Sequence, residues 1–528
     1  MKKWQLSIFS GLLFGFSLWH IGFGFISFFA YVPYFALLKR CKNGQIFWYG
    51  ILWGLTFTLV SLHWIVTVKI IALIGLMIAL PIYFGVFTII SKIIYKRFSG
   101  IFIWIFPIIW IGFEYFMTLG PLNFPWFNIG YSFANYYYFA QFADIFGVYG
   151  LSLLILLINA LIFILLQRFI PCNKHFILHG TGIGHRVKFM DTDKSSASFS
   201  YKIKPFVFIV IIIILWYGYG IYRVNSIKLR DTKFKIAIIQ LNIPQEEKWE
   251  PKNLEPTIKK YKEYTKRCVD DSVDLVIFPE TAIPYYITHS LLGKDIANFA
   301  KINKVNIVTG FPNYKKDIKN GLISYKYYNS ASLITKDGEF QGIYNKIKLV
   351  PFGECIPFFD KFPILRKLQF GQANFENGTE YKLFTTDGYK FPVLICFEGI
   401  FPILCTKFVN KGADFLINIT NDAWYKRSIG PYQHCANTKL RAIENRMSFF
   451  RAANTGISYM ANPKGETYQL AGLYENGTQG KILKGNLYIT ETTSIFSQAG
   501  YLMPIIFFYI AIIVLLYSFI KLHGHYQS

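Results

Sequence analysis

The stretch VLICFEGIFP, residues 393–402, places one cysteine, Cys396, at the end of an apolar run and an acidic residue, Glu398, two positions after it. A short apolar run of this kind is typical of a buried β-strand. A free cysteine in such a run is often only a small buried hydrophobe. Whether Cys396 is a packing residue or a nucleophile is therefore decided by the rest of the chain.

Two other strand-like segments end in residues with acid–base chemistry. VDLVIFPE ends at Glu280, and YNKIKLVPFGE contains Lys346. A cysteine nucleophile needs a base or a neighbouring cation, because a thiol is only weakly ionised at neutral pH. A carboxylate can accept the thiol proton, and a fixed ammonium can stabilise the oxyanion that forms when the thiolate attacks a carbonyl. Glu280, Lys346 and Cys396 at the ends of adjacent strands would supply all three roles.

These segments lie in a region, 224–500, that reads as an α/β domain. Val- and Ile-rich runs alternate there with helical stretches at 254–269 and 432–447. Turn dipeptides separate them, and no run is long enough to cross a bilayer. The pattern predicts an α/β fold with mixed sheets.

The rest of the chain has the composition of a membrane protein. Of 528 residues, 53% are hydrophobic and 19% are aromatic, and a bilayer-spanning helix needs about 20 apolar residues. Eight runs approach that length: 5–20, 22–38, 46–66, 70–90, 100–118, 147–167, 205–222 and 502–520. The sequence predicts a helical membrane domain of about seven spans at 1–223, a water-exposed domain at 224–500, and a last span with its tail at 501–528.

Lys and Arg residues in the loops predict the orientation of these spans. They follow the second, fourth and sixth runs, whereas the loop at 119–146 contains neither. Because positively charged loops stay in the cytoplasm, both termini are predicted to be cytoplasmic and 224–500 to be extracytoplasmic. The net charge of +25 then favours anionic lipid headgroups over nucleic acid as a partner.

The ordered motifs FPE, K-x-x-L-V-P-F-G-E and C-F-E, with NDAW and RAANTG downstream, resemble the nitrilase superfamily of carbon–nitrogen hydrolases. With several spans before the domain and one after it, the chain resembles the membrane-embedded apolipoprotein N-acyltransferase family. The resemblance implies an αββα sandwich for the outer domain. It also implies Glu280 as the general base, Lys346 as the oxyanion stabiliser and Cys396 as the nucleophile, with the backbone N–H of Phe397 completing the oxyanion hole.

The same resemblance marks three more residues as supporting or substrate-binding: Trp249, Glu354 and Glu398. The two glutamates could instead be structural hydrogen-bonding groups, and Trp249 could be a core residue. Phe397 stands where many members have tyrosine, so the ring is kept and the hydroxyl is lost.

The activity that the resemblance implies is a two-step acyl transfer through a Cys396 thioester. The donor would be a membrane phospholipid of the phosphatidylethanolamine type, and the acceptor would be the N-terminal amine of a diacylated apolipoprotein. The enzyme would work as a monomer in the bacterial inner membrane, with its catalytic domain in the periplasm and without metal or cofactor. Two alternatives stay open: a membrane-tethered amidase or nitrilase that uses water, and a transporter with an accessory domain, which the nearly charge-free spans disfavour.

Overall fold

The computed structural model describes residues 1–19, 22–169, 197–319, 322–357 and 374–523. A helical bundle comes first, an α/β domain follows, and a last helix returns to the bundle. Most of the loop at 171–204 lies outside the described residues. The predicted fold class, a multi-span helical membrane domain joined to an αββα sandwich, is confirmed.

The bundle is built from eight α-helices and three 3₁₀ segments in the described part of the first 226 residues. The 3₁₀ segments are Gly24–Phe29, His63–Thr67 and Ile129–Phe133. The helices are α1 (Lys3–Ser17), α2 (Val32–Arg40), α3 (Asn43–Leu62), α4 (Ile70–Arg97), α5 (Phe102–Phe116), α6 (Tyr137–Ala140), α7 (Ala143–Phe169) and α8 (Ala197–Ser226).

Five segments of the described chain are long and apolar enough to cross a membrane: Gly44–Thr67, Ile70–Arg97, Ala143–Gln167, Ile203–Ser226 and Gly500–Ile520. They match five of the eight predicted spans. Two other predicted spans correspond to α1 and α5, which have 15 residues each. A helix of that length rises about 22 Å, which is shorter than the bilayer's hydrocarbon core of about 30 Å.

The predicted span at 22–38 is wrong, because the chain is not one helix there. Gly24–Phe29 is a 3₁₀ segment, and α2 contains only nine residues. The break lies where this segment packs against Ile129–Phe133: a Cβ on Gly24 would come within 2.3 Å of the Ser132 carbonyl oxygen. Close backbone approach requires glycine at that point, and no local sequence pattern reports it.

The α/β domain contains 13 strands and six helices among its described residues. The helices are α9 (Gln245–Lys248), α10 (Pro251–Val269), α11 (Leu291–Ile302), α12 (Pro402–Val409), α13 (Gly430–Asn445) and α14 (Ile495–Gln498), and α15 (Met503–His523) follows. The strands are β1 (Arg230–Gln240), β2 (Leu275–Ile277), β3 (Asn306–Lys319), β4 (Leu322–Ile334), β5 (Tyr344–Asn345), β6 (Phe384–Thr386), β7 (Tyr389–Phe391), β8 (Val393–Ile395), β9 (Phe415–Thr420), β10 (Ser448–Ala453), β11 (Ser458–Ala461), β12 (Thr467–Ala471) and β13 (Lys481–Ile489).

Two sheets form the centre of the domain. The first has the order β13-β1-β2-β3-β4-β5 and the second β12-β11-β10-β9-β8. The sides of the two sheets that face each other belong to one apolar core, which continues into the helical bundle. The other side of the first sheet packs on α10 and α11. Helices α12 and α13 cover the second sheet. The order of layers from the bundle outward is therefore α12 and α13, second sheet, first sheet, α10 and α11.

Helix α13 is the layer that joins the domain to the bundle. Gln433, which is 1% exposed, accepts hydrogen bonds at 2.9 Å from the indole Nε1 atoms of Trp64 and Trp126. Its own amide donates to the carbonyl oxygens of Leu18 and Ser61. A single glutamine thus satisfies four polar groups of the bundle, each of which would be costly to bury without a partner.

A second contact between the domain and the bundle is ionic. Asp144, at the start of α7, lies 2.7 Å from Nη2 of Arg446 and 2.5 Å from Nε of Arg223. Tyr219 donates a further hydrogen bond to this carboxylate. Because Asp144 and Arg446 are both almost fully buried, removing one partner would leave an uncompensated charge.

Replacing Gln433 with leucine tests the first contact. Gln433→Leu keeps the volume but leaves two indole N–H groups and two carbonyl oxygens buried without partners, so we expect the free energy of unfolding to fall by about 3 kcal/mol. Thermal unfolding followed by tryptophan fluorescence in detergent measures this loss. The matched control is Tyr432→Leu, since Tyr432 is 44% exposed. Equal melting temperatures for the two variants would contradict the assigned role of Gln433.

Candidate active site

Cys396 lies at a sharp turn between β8 and the 3₁₀ segment Cys396–Ile400. Its φ is +53°, a left-handed conformation that non-glycine residues rarely adopt. The Asn418 side chain donates to the carbonyl oxygens of Leu394 and Cys396, at 3.1 and 3.2 Å. A strained residue held in this way at a strand end is typical of a presented nucleophile.

Glu398 ties the Cys396 turn to the segment that carries Lys346. Its Oε2 accepts a bond from the backbone N–H of Ile395, and its Oε1 accepts bonds from the N–H groups of Ile347 and Lys348 and from the Tyr344 hydroxyl. Burial raises the pKa of Glu398 to about 7, and these donors limit the rise. The carboxylate is fully buried, so its hydrogen bonds hold the Cys396 turn against the segment that contains Lys346.

Lys346 lies between two carboxylates. Its Nζ is 2.7 Å from Glu354 and 3.7 Å from Glu280, and the lysine has no exposed surface. The Asn329 amide nitrogen bridges the same two carboxylates with hydrogen bonds of 2.8 Å to each. Burial opposes the charge of Lys346, but Glu354 and the other anionic groups outweigh it and raise the lysine pKa. Lys346 is thus held as a cation.

The electrostatic environment couples Cys396 to both residues. Burial raises the pKa of the Cys396 thiol, Glu280 raises it further, and Lys346 lowers it. Burial also raises the pKa of Glu280, against the attraction of Lys346. A carboxylate with a raised pKa is a stronger base than an exposed one, which suits it to accept the thiol proton. Glu280 and Lys346 therefore lie 3.7 Å apart in one buried cluster, and the buried Cys396 is near enough for both charges to shift the pKa of its thiol.

Lys248 is a second buried cation at the site, and sequence reasoning missed it. Only 4% of Lys248 is exposed, and its Nζ donates a 2.8 Å bond to the backbone carbonyl of Glu280. Burial lowers the pKa of Lys248 to about 8, while Glu280 and Cys396 oppose that fall. Its position in the charged run QEEKW gave the appearance of a surface lysine.

Trp249 and Phe397 have different surroundings. Trp249 is 37% exposed and follows α9, so it is not a core residue. Phe397 is 3% exposed and stacks at 6.4 Å on Trp126, which belongs to the loop between α5 and α7. Phe124 of the same loop stacks on Phe397 at 6.5 Å. The residue after the cysteine therefore packs against the bundle.

A buried ionic cluster lies beside the Cys396 turn, at the NDAW motif. Asp422 accepts bonds from His434 Nδ1 at 2.8 Å and from Arg451 Nη2 at 2.9 Å. Although burial opposes its charge, Arg451 and His434 lower the pKa of Asp422 to about 2. Arg451 Nη1 also donates to Asn418, the residue that holds the Cys396 carbonyl. The cluster thus supports the turn from inside the domain.

Three charged residues lie on α13 or directly after it, at Arg441, Glu444 and Arg446, and they pack against the bundle. They are buried, and they bond to groups of the bundle: Glu444 accepts the Val148 N–H at 2.9 Å, and Arg441 donates to Glu444 and to the Tyr131 hydroxyl. Arg446 is the partner of Asp144 described above. No group of three or more His, Cys, Asp or Glu side chains placed to hold a metal ion occurs in the described ranges.

Comparison with known proteins identifies both parts of the chain. Residues 235–483 match the carbon–nitrogen hydrolase family, and residues 10–161 match the N-terminal domain of apolipoprotein N-acyltransferase. The apolipoprotein N-acyltransferase of Geobacter metallireducens is 30% identical over 511 residues, covering 94% of this chain and 92% of its own. That of Chlorobaculum tepidum is 29% identical, covering 88% of each. That of Aquifex aeolicus is 36% identical over 249 residues, covering 47% of this chain and 54% of its own.

These matches extend through the bundle and the αββα domain together, with the same succession of parts as in the full-length relatives. They confirm the resemblance that the motifs predict, and they identify a membrane-embedded acyltransferase of lipoprotein biosynthesis with a nitrilase-like domain. The chain belongs to the apolipoprotein N-acyltransferase family.

Proposed function

We propose that this chain moves an acyl chain from a phosphatidylethanolamine-type phospholipid to the α-amine of a diacylated apolipoprotein, through a thioester on Cys396. The observation that carries the proposal is the convergence of Glu280, Lys346 and Cys396 in one buried cluster, beside a phenylalanine that packs on the bundle. A reaction centre built against a membrane bundle suits lipid substrates.

In the first half-reaction, the Glu280 carboxylate accepts the Sγ proton of Cys396, and the thiolate attacks the ester carbonyl of the phospholipid. The ammonium of Lys346 and the backbone N–H of Phe397 stabilise the oxyanion. As the bond from the carbonyl carbon to the glycerol oxygen breaks, Glu280 returns the proton to that oxygen. The products are a lysophospholipid and a Cys396 thioester.

In the second half-reaction, the α-amine of the acceptor attacks the thioester carbonyl and gives a proton to Glu280. The carbon–sulfur bond breaks, the acyl group stays on nitrogen as an amide, and the thiolate recovers a proton from Glu280. The same base and the same oxyanion site serve both halves. Glu354 and Glu398 act in this scheme as positioning residues for Lys346 and the Cys396 turn, and Trp249 is a substrate contact at the surface.

Lys248 supplies the charge balance that this chemistry needs. Two carboxylates, Glu280 and Glu354, face one ammonium at Lys346, so the buried site would carry an excess negative charge without a second cation. Once the thiol proton moves to Glu280, the negative charge is on Cys396 instead. Lys248 interacts electrostatically with Glu280 and, more weakly, with Cys396, so its charge stabilises the anion on either group.

A hydrolase that passes the acyl group to water is the competing function, and acylation of the enzyme separates the two. Given phospholipid without an amine acceptor, the enzyme should accumulate a hydroxylamine-labile acyl adduct on the peptide that contains Cys396, because no acceptor discharges it. Mass spectrometry locates the adduct. One molecule of lysophospholipid should be released for each molecule of enzyme.

Adding a diacylated lipopeptide should discharge the adduct and restart lysophospholipid release. Cys396→Ala should form no adduct, whereas Cys405→Ala, which changes a fully buried thiol, should form it normally. Continuous lysophospholipid release without an acceptor would favour the hydrolase, and an adduct on another cysteine would remove Cys396 from the mechanism.

The role of Lys248 predicts a pH-dependent loss of thiol reactivity. In Lys248→Met we expect alkylation of Cys396 by iodoacetamide at pH 7 to slow about tenfold, since one lost cation shifts a neighbouring thiol pKa by about one unit. A lysine with a pKa of about 8 is charged below that pH and neutral above it. The difference between variant and wild type should therefore shrink as the pH rises past about 8.

The matched control for that measurement is Lys252→Met, which removes an exposed lysine of the next helix. In this variant, iodoacetamide should alkylate Cys396 at the wild-type rate. Lys248→Met should melt close to the wild-type temperature although its Cys396 reacts more slowly. The variant loses a buried charge, and with it the cost of burying that charge. A rate ratio that stays constant from pH 6 to pH 10 would contradict the electrostatic role.

The proposed access to lipid requires the catalytic domain to lie in the periplasm. The loop charges predict that reporter fusions after residues 42 and 97 report the cytoplasm, and that fusions near 130 and 300 report the periplasm. Alkaline phosphatase fusions are active in the periplasm, and green fluorescent protein fusions are fluorescent in the cytoplasm, so the two reporters check each other. A cytoplasmic result at 300 would contradict both the topology and the donor leaflet that the proposal assumes.

A further inference from the structure

The hairpin of β3 and β4 projects far beyond the sandwich. The two strands pair antiparallel without a register shift, from Ile307 opposite Ile334 to Lys319 opposite Leu322. The proximal half is buried, but the distal half is open to solvent: Ile318 is 63% exposed, Ile323 57% and Tyr325 51%. Exposed apolar side chains grouped at one place on a domain mark an interaction surface.

The distal hairpin has one aromatic and one polar face. Residues directly opposite each other in an antiparallel pair lie on the same face, and successive residues alternate. One face, which we call the tyrosine face, carries the pairs Tyr314–Tyr327, Lys316–Tyr325 and Ile318–Ile323. The other carries the pairs Lys315–Lys326 and Asp317–Ser324, with an ion pair between Lys326 and Asp317.

The tyrosine face is directed toward the bundle side of the molecule. A Cβ on Gly310 would contact Ile419 of the second sheet at 2.9 Å, so the even-numbered residues of β3 face that sheet. Tyr314, Lys316 and Ile318 continue the same alternation. At the level of Gly310, this face is therefore on the side of the first sheet where the second sheet and the bundle lie.

This face begins at the catalytic cluster. Asn329, which bonds to Glu280 and Glu354, lies on the tyrosine face two residues from Tyr327. Tyr286, in the loop after Glu280, packs on Tyr314 and Tyr327 at 5.1 and 6.3 Å between ring centroids. The surface is thus continuous with the site. We call the distal part of the tyrosine face the roof.

The height of this roof above the bundle decides what can occupy the space between them. The α13 layer and the step from one sheet to the next each add about 10 Å, which puts the hairpin on the order of 20 Å beyond the bundle. The headgroup region of a leaflet is only about 5–8 Å thick. At that height a phospholipid seated in the bilayer would fall short of the roof, whereas an extended polypeptide gains about 3.5 Å per residue and would reach it.

We propose that the tyrosine face docks the polypeptide segment that follows the lipidated cysteine of the acceptor. This inference rests on the proposed function and adds the acceptor's binding surface to it. Tyrosines provide rigid contact area and hydrogen-bonding hydroxyls that suit many peptide sequences. The segment leaves the reaction centre, passes Tyr327 after a few residues, and extends under Tyr325 and Ile323.

Two lipopeptide acceptors test the docking surface. One carries about two residues after the diacylglyceryl-cysteine and ends before the roof, and the other carries about twelve and passes under it. In Ile323→Ala/Tyr325→Ala we expect KM for the long acceptor to rise about tenfold, as for the loss of an interface hot spot. KM for the short acceptor and the rate of Cys396 acylation should stay at wild-type values.

The matched control changes the other face of the same strand, in Ser324→Ala/Lys326→Ala, and should leave both KM values unchanged. An equal rise for both acceptors, no rise for either, or the same rise in the control would overturn the proposal. Failure of acyl-enzyme formation in wild type would instead overturn the proposed function, so the two failures are distinguishable.

A photo-crosslinking residue at 325 provides a second readout that needs no turnover. In nanodiscs of phosphatidylethanolamine and phosphatidylglycerol, Tyr325→benzoylphenylalanine in the Cys396→Ala background should crosslink the long lipopeptide, and Ser324→benzoylphenylalanine should not. Crosslinking to phospholipid at 325 would show that the face binds the membrane and would overturn the assignment to a polypeptide.

Discussion

The burial of Lys346 between Glu354 and Glu280 is the interaction on which the domain depends. An ammonium with no exposed surface is stable only where carboxylates lie close and every remaining hydrogen-bonding group has a partner. Asn329 bridges the two carboxylates, so the end of β2, the middle of β4 and the segment after β5 are fixed relative to one another. In the proposed mechanism, the same charges set the base strength of Glu280 and the oxyanion site at Lys346.

Glu398 extends that constraint from the first sheet to the second. It accepts bonds from both sides of the site, from Ile395 beside Cys396 and from Ile347 beside Lys346. Burial disfavours its charged form, and the four donors that converge on the carboxylate limit the rise of its pKa. The distance between Cys396 and Lys346 is therefore a property of the sandwich as a whole, since each residue belongs to a different sheet.

Motifs and helices that depend on neighbouring residues could be predicted from the sequence. Burial and chain breaks that depend on distant partners could not. The strand ends at Glu280, Lys346 and Cys396 carry short motifs, and the helices at 254–269 and 432–447 agree with α10 and α13 within a few residues. The burial of α13 could not be predicted in the same way, because Gln433 meets Trp64 across 369 positions of sequence. The break at Gly24 and the burial of Lys248 have the same cause: each depends on a segment that lies far away along the chain.

The docking of the domain and the geometry of the nucleophile form one continuous set of contacts. Trp126 of the bundle loop lies 5.4 Å from the His434 ring on α13, His434 bonds to Asp422, and Arg451 bonds both to Asp422 and to Asn418. Asn418 in turn holds the carbonyl of Cys396 in its left-handed conformation. Every link is buried, and all but the ring contact of Trp126 with His434 are polar, so breaking one of the polar links is costly. The Cys396 turn is consequently held by contacts that begin in the membrane domain as well as by its own sheet.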